Sequence, residues 1–107
     1  MICILVVDDD ALVRRALFRQ LTGAGYLVSV AASVRDVRYR MNPPPDAVIC
    51  DFDLPDGTAM DVYGALNQPK RFIVHTGNAD AYVPTDIPRF TKPDVAGVLE
   101  QLQTWFH

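Results

Sequence analysis

The chain has 107 residues, enough for one domain with its own core. Half of them are hydrophobic, too many for a disordered chain. The net charge of −3 argues against a nucleic-acid groove, and no apolar run nears the roughly 20 residues that span a bilayer. "ICILVV" (2–7) is short, continuous and rich in branched residues, the mark of a strand buried on both faces of a parallel sheet. Acids follow it at once, with no basic head or cleavage site of a signal peptide, so a cytoplasmic protein is expected. Leu12, Val13, Ala16, Leu17 and Leu21 form a helical stripe that Gly23 and Gly25 stop. "YLVSVAA" (26–32) reads as a second buried strand.

Ser33 and Asp36 have capping-box spacing, and Val34, Val37 and Met41 continue as one helix face. "NPPP" (42–45) ends that helix. "AVIC" (47–50) and "RFIVHT" (71–76) are further strands, and a short one fits "PRFT" (88–91). Met60, Tyr63 and Leu66 predict a helix after Gly57. Val95, Val98, Leu99, Leu102 and Phe106 predict the last helix, just after Pro93. Strands alternating with helices imply a doubly wound α/β sheet with right-handed crossovers. Residues 77–87 break the rhythm: eleven residues with a proline hold a loop or one helical turn. Cys3 and Cys50 lie in apolar runs without metal-binding or redox spacing, and read as buried inert thiols. Arg14, Arg15, Arg19, Arg35, Arg38 and Arg40 read as solvated helix faces or a protein-docking rim.

The polar residues fall in one place on this scaffold. Asp8, Asp9 and Asp10 follow the first strand, Asp51 ends the third, Thr76 ends the fourth and Lys92 follows the fifth. All lie at the carboxyl edge, where open α/β sheets bind ligands. Clustered carboxylates repel, and a hard divalent cation relieves the repulsion; oxygen ligands with room for water and phosphate suit Mg²⁺. A carboxylate beside that ion can attack a phosphoryl group, with Thr76 and Lys92 placed to meet the phosphoryl oxygens. Asp10 reads as a helix cap, and Asp56 and Asp61 as turn and early-helix acids. His75 alternates with Thr76 and should face the other way, as a satisfied, partly buried histidine. Tyr82 and Trp105 read as packing residues, and His107 as a frayed end.

"ILVVDDD", "VICDFDLPDG", "IVHTG" and "FTKP" in this order resemble the receiver domain of two-component response regulators, over nearly the whole chain. The resemblance implies a flavodoxin-like five-stranded parallel sheet in the order 2-1-3-4-5, here with the fourth helix shortened or absent. It implies that Asp51 accepts a phosphoryl group from a histidine kinase or histidine phosphotransfer protein. Asp9 and Asp51 would bind Mg²⁺ directly, Asp8 through water, and Asp53 through its backbone carbonyl. Thr76 would move toward the phosphoryl group, Lys92 would pair with it, and Gly77 would leave it accessible. The side chain of Asp53 would tune phosphate loss, and Lys92–Pro93 is often cis in the family.

The chain departs from the family pattern at the aromatic switch position, three before the lysine, where Arg89 stands with Phe90 next. The expected protein is a single receiver domain over 1–107, stand-alone or excised, with no output domain following. It is expected to be a signalling phospho-acceptor rather than an enzyme, a monomer or weak homodimer that acts on a downstream protein, with no nucleic-acid or membrane partner. Two other readings stand beside it. "DFDLPDGT" resembles the nucleophile motif of haloacid-dehalogenase-like phosphatases, with Asp53 as acid/base. The second is a degenerate receiver that binds partners without phosphorylation.

Overall fold

The apolar runs become the strands of one parallel sheet in the computed structural model, which describes residues 1–106. They are β1 (Cys3–Val7), β2 (Leu27–Ala31), β3 (Ala47–Cys50), β4 (Phe72–Thr76) and β5 (Arg89–Thr91). The spatial order is β2-β1-β3-β4-β5, and every neighbouring pair is parallel. The helices are α1 (Ala11–Gly23), α2 (Val34–Val37), α3 (Ala59–Ala65) and α4 (Val95–Phe106). His107 lies outside the described residues.

Strand alternation divides the core in two. Ile4, Val6, Ile49 and Ile73 pack with Leu17 and Leu21 of α1 and Val98 and Leu102 of α4. Leu5, Val7, Val48 and Val74 point the other way, to Val37, Ala59 and Val62 of α2 and α3. Each fully buried side chain of this kind contributes about 1.5–3 kcal/mol. Because both faces are covered, β3 and β4 are buried along their whole length. Polar side chains are therefore pushed to the strand ends.

Several expectations need correction. β2 is an edge strand, not a strand buried on both faces: Leu27 is 52% exposed. Its outer face lacks cover because α2 is one turn long and tightens into a 3₁₀ turn at Arg38–Arg40 before Met41. On α1 the buried stripe is narrower than read: Leu17 and Leu21 are buried, but Leu12 and Ala16 are exposed. The Ser33 box is half formed. Ser33 Oγ accepts from Asp36 N–H, but the Asp36 carboxylate accepts from Ala32 N–H, one residue before the cap. The complete capping box belongs to Thr58 and Asp61, at the start of α3. Cys50 is buried, but Cys3 is only partly so. Trp105 packs on the core, whereas Tyr82 is exposed.

Residues 77–88 connect β4 to β5 through turns, without a regular helix. A two-stranded hairpin, Asp53–Leu54 with Gly57–Thr58, follows β3. Its tip is tied down by Asp56, whose two carboxylate oxygens accept from Val34 N–H at 2.8 Å and Arg35 N–H at 3.0 Å. Those bonds, Arg35 first, hold the Asp56 carboxyl below its ordinary range. The acid read as a turn residue thus also seats the first turn of α2. Among the described residues, no helix is long and apolar enough to cross a membrane.

Candidate functional site: an acid pocket at the carboxyl edge of the sheet

β1 and β3 are neighbours, so the residues that follow them meet. Asp8, Asp9 and Asp51 each bring a carboxylate oxygen to within 4.8 Å of the others. Asp8 and Asp51 are buried and Asp9 is exposed. Asp8 is held by two backbone contacts. Its Oδ1 accepts from Asp10 N–H at 2.9 Å, and its carbonyl accepts from Arg14 Nη1 at 2.7 Å. Asp10 is the helix cap, accepting from Leu12 N–H at 2.9 Å, and stands outside the acid cluster.

Lys92 closes the pocket from β5. Its Nζ lies 2.7 Å from Asp8 Oδ2 and 3.0 Å from Asp51 Oδ2. The backbone aims it, since Lys92 N–H continues the ladder by donating to Thr76 O at 3.1 Å. The Lys92–Pro93 peptide is cis. Burial pushes the Asp8 carboxyl above its ordinary value, and the bond from Lys92 opposes this only in part. For Lys92, burial works against the charged form. The bonds to Asp8 and Asp51 outweigh it, and the ammonium is raised. Two buried carboxylates thus share one cation, and Asp9 adds a third negative charge. The donor set is all hard oxygen, and the oxygens are close enough to share one ion, so the residues fit Mg²⁺.

Thr76 is buried at the end of β4, and its Oγ1 accepts from Asn78 N–H at 3.1 Å. The Asn78 side chain reaches back, donating from Nδ2 to Asp53 Oδ2 at 2.9 Å. Asn78 therefore joins the threonine to the acid two residues after Asp51. The sequence reading missed it, because a lone loop asparagine carries no pattern. A Cβ on Gly77 would meet nothing within 4 Å, so the ground beside Thr76 is open.

His75 is buried rather than partly buried, and it is not satisfied. Neither ring nitrogen has a hydrogen-bond partner among the described residues. Burial holds its pKa below the ordinary value; Lys92 adds to the shift, while Asp51 and Asp94 oppose it. The unfolded chain takes up this proton first as the pH falls, so stability is lost on acidification through the folded pKa. Urea midpoints measured between about pH 7.5 and 5.5 should fall, with a limiting slope of about 1.4 kcal/mol per pH unit. His75→Phe should flatten that fall; an unchanged slope would assign it to another group.

Comparisons with known proteins agree with this geometry. The family model of the response regulator receiver domain matches residues 4–99. The transcriptional regulatory protein KdpE of Mycobacterium tuberculosis is 42% identical over 67 residues, covering 62% of this chain and 30% of that protein. The acid tolerance regulatory protein ActR of Rhizobium meliloti is 38% identical over 79 residues, covering 69% and 40%. The chain spans less than half the length of these relatives. A CheY-like receiver domain from Methylobacillus flagellatus superposes with a TM-score of 0.82 at 21% identity, covering 97% of this chain and 98% of that one. The receiver domain of the hybrid histidine kinase CckA gives 0.82 at 20% identity, covering 98% and 99%. The match spans the elements that build the acid pocket, and the chain belongs to the response regulator receiver domain family.

Proposed function

We propose that this chain is a Mg²⁺-dependent phospho-acceptor of a two-component system and that Asp51 carries the phosphoryl group. The observation that carries the reading is the Lys92 ammonium, which bridges Asp8 and Asp51 at 2.7 and 3.0 Å. A cation held against the attacking carboxylate is where an incoming phosphoryl oxygen needs a partner. Asp51 Oδ attacks phosphorus, the P–N bond of a phosphohistidine breaks, and the imidazole nitrogen leaves with the electron pair. The product is an acyl phosphate on Asp51. Asp8, Asp9 and Asp51, with the Asp53 carbonyl, would hold Mg²⁺, which when bound neutralises phosphoryl oxygens. Thr76 Oγ1 donates to a second phosphoryl oxygen, and Lys92 pairs with a third. The donor is a histidine kinase or phosphotransfer protein, and the output is a contact with another protein. The domain assists its own phosphorylation and phosphate loss without turning over a separate substrate.

The test is intact mass after incubation with Mg²⁺ and acetyl phosphate. A single phosphoryl adduct is expected on the wild type, and none on Asp51→Ala or in EDTA. An adduct that survives in Asp51→Ala would overturn the assignment. No wild-type adduct and no phosphate release would leave a degenerate binding module. Asp53→Asn should keep the adduct and change only its lifetime; a phosphatase using Asp53 as acid/base would lose turnover.

A further inference from the structure

The sheet has two edges, and only one is guarded. β5 is three residues long and bracketed by Pro88 and Pro93, and its Arg89 donates to the carbonyls of Asn78 and Ala81. Short length, proline and charge are the devices that stop an edge strand from pairing with another chain. The five residues of β2 include no charge and no proline. Leu27 N–H donates to Ile2 O at 2.9 Å, and Ala31 O accepts from Asp8 N–H at 3.0 Å, so these residues spend their backbone groups on β1. Alternation turns the N–H and C=O of Val28 and Val30 outward, and among the described residues no hydrogen bond reaches them. The open stretch ends there, because Tyr26 N–H is spent on Leu21 O and Ala32 N–H on Asp36 Oδ2. Apolar side chains gather along the same edge. On the α2 side, exposed Leu27 shares a groove with Tyr39, Pro43 and Pro45. On the other face α1 lies over β1 and β2. Its Ala16, Gln20 and Gly23 line a cleft with Leu99 of α4, while Leu17 and Leu21 face the sheet. Phe18, one residue on from Leu17, therefore falls on the flank away from α4, above the β2 edge, and it is 43% exposed. An open backbone edge with apolar side chains on both faces marks a surface that another chain covers.

We propose that the β2 edge pairs with the β2 edge of a second copy of this chain, antiparallel about a twofold axis at Ser29. The register selects that occupant. Turning β2 about Ser29 sets Val28 opposite Val30 of the copy, and Val30 opposite Val28 of the copy. Outward donors then meet outward acceptors, and each pair exchanges both its bonds. Ser29, whose backbone groups point to β1, meets its own counterpart in the non-hydrogen-bonded position between them. Leu27 and Tyr39 on one face, and Phe18 on the other, are brought toward their counterparts. The two five-stranded sheets become one. Because they run antiparallel, the acid pockets face opposite ends and both stay open. The free edge is short, and Arg40, which lines the Leu27 groove, repels the same residue of the copy, so the dimer is weak.

Sedimentation velocity of the whole chain tests the pairing, and oxidation of single cysteines tests its register. Between about 5 and about 500 µM the wild type should pass from monomer to dimer, with a dissociation constant of about 10–100 µM. Val28→Pro removes an outward N–H that β1 does not use, and Leu27→Lys sets like charges along the joint. Each should weaken the dimer by about tenfold or more. Leu27 is exposed, so the lysine variant folds, and an unchanged far-UV circular dichroism spectrum shows it. Tyr82→Ser, at an exposed side chain beyond the opposite edge of the sheet, should leave the dimer as it is. In a Cys3→Ser background, Ser29→Cys places the two thiols in the non-hydrogen-bonded pair, about 4.5 Å apart at Cα and within disulfide reach. Leu27→Cys lies about 14 Å from its counterpart and should not form the covalent dimer. A wild type that stays monomeric over the whole range would overturn the proposal. So would a dimer that both β2 variants leave intact, which would place the interface elsewhere. Equal crosslinking through positions 27 and 29 would overturn the register.

Discussion

Asp8→Asn is expected to stop Mg²⁺-dependent phosphorylation of Asp51 and to raise the thermal stability of the metal-free protein. The two effects have one cause. Asp8 is 1% exposed, and burial outweighs its bond to Lys92, so its negative charge is costly in the folded state. The amide keeps the shape, and its oxygen accepts from Asp10 N–H, which now bonds Asp8 Oδ1 at 2.9 Å; its NH2 then replaces Oδ2 and turns the Lys92 ammonium from Asp8 toward Asp51. The repulsion from Asp51 disappears, while Lys92 keeps Asp51 as its partner. The melting temperature in EDTA should therefore rise by a few degrees. The proposed Mg²⁺ site fares the opposite way. It loses one of three clustered charges, and losing one preorganised electrostatic group costs about 10²–10³ in rate. Saturating Mg²⁺ stabilises a binding protein by about 2.7 kcal/mol at a hundred times Kd, so the wild-type melt should shift upward and the variant's should not. Scanning fluorimetry with and without Mg²⁺, beside the acetyl phosphate assay, checks both. A variant that still forms its adduct near the wild-type rate would remove Asp8 from the metal site.

The parts legible in the sequence are those that one strong physical requirement dictates. A strand covered on both faces must be apolar throughout, so β1, β3 and β4 announced themselves. Lys92 is 41 residues from Asp51, yet it was readable from its place at the carboxyl end of the fifth strand and from the "FTKP" resemblance. β2 was read as buried because its apolar residues looked the same; only the shortness of α2 leaves Leu27 outside. The 53–58 hairpin has two-residue strands, too short to show alternation. Asn78 and Arg89 were illegible in their roles for a different reason. Asn78 meets Asp53 across 25 residues and Arg89 across 11, and its neighbours exist only after β3, β4 and β5 have paired. His75 was read as satisfied, but whether a ring nitrogen finds a partner depends on packing that no spacing encodes.

Lys92→Met should weaken the metal-free fold and phosphorylation together, the reverse of the split expected for Asp8→Asn. In the folded protein this ammonium bridges Asp8 and Asp51, with 21% of its side chain exposed. Methionine replaces the stem and fills the same volume, so the loss is the charge rather than the packing. Two buried carboxylates then face each other, with Asp9 beside them and no cation. Breaking a fully buried pair costs 3–5 kcal/mol, but this pocket opens to water at the sheet edge, and about 2 kcal/mol is expected. Mg²⁺ can supply the missing positive charge, so it should stabilise Lys92→Met by more than it stabilises the wild type. Phosphorylation is not rescued in the same way. The ammonium that meets the phosphoryl oxygen is absent even when the ion is bound, and the rate should stay about 10²–10³ below wild type at saturating Mg²⁺. Urea unfolding with and without Mg²⁺, run beside adduct formation, separates the two roles. Restoration of both stability and rate by Mg²⁺ would mean that Lys92 serves only to hold the empty pocket together. Restoration of stability alone assigns it to the phosphoryl group as well.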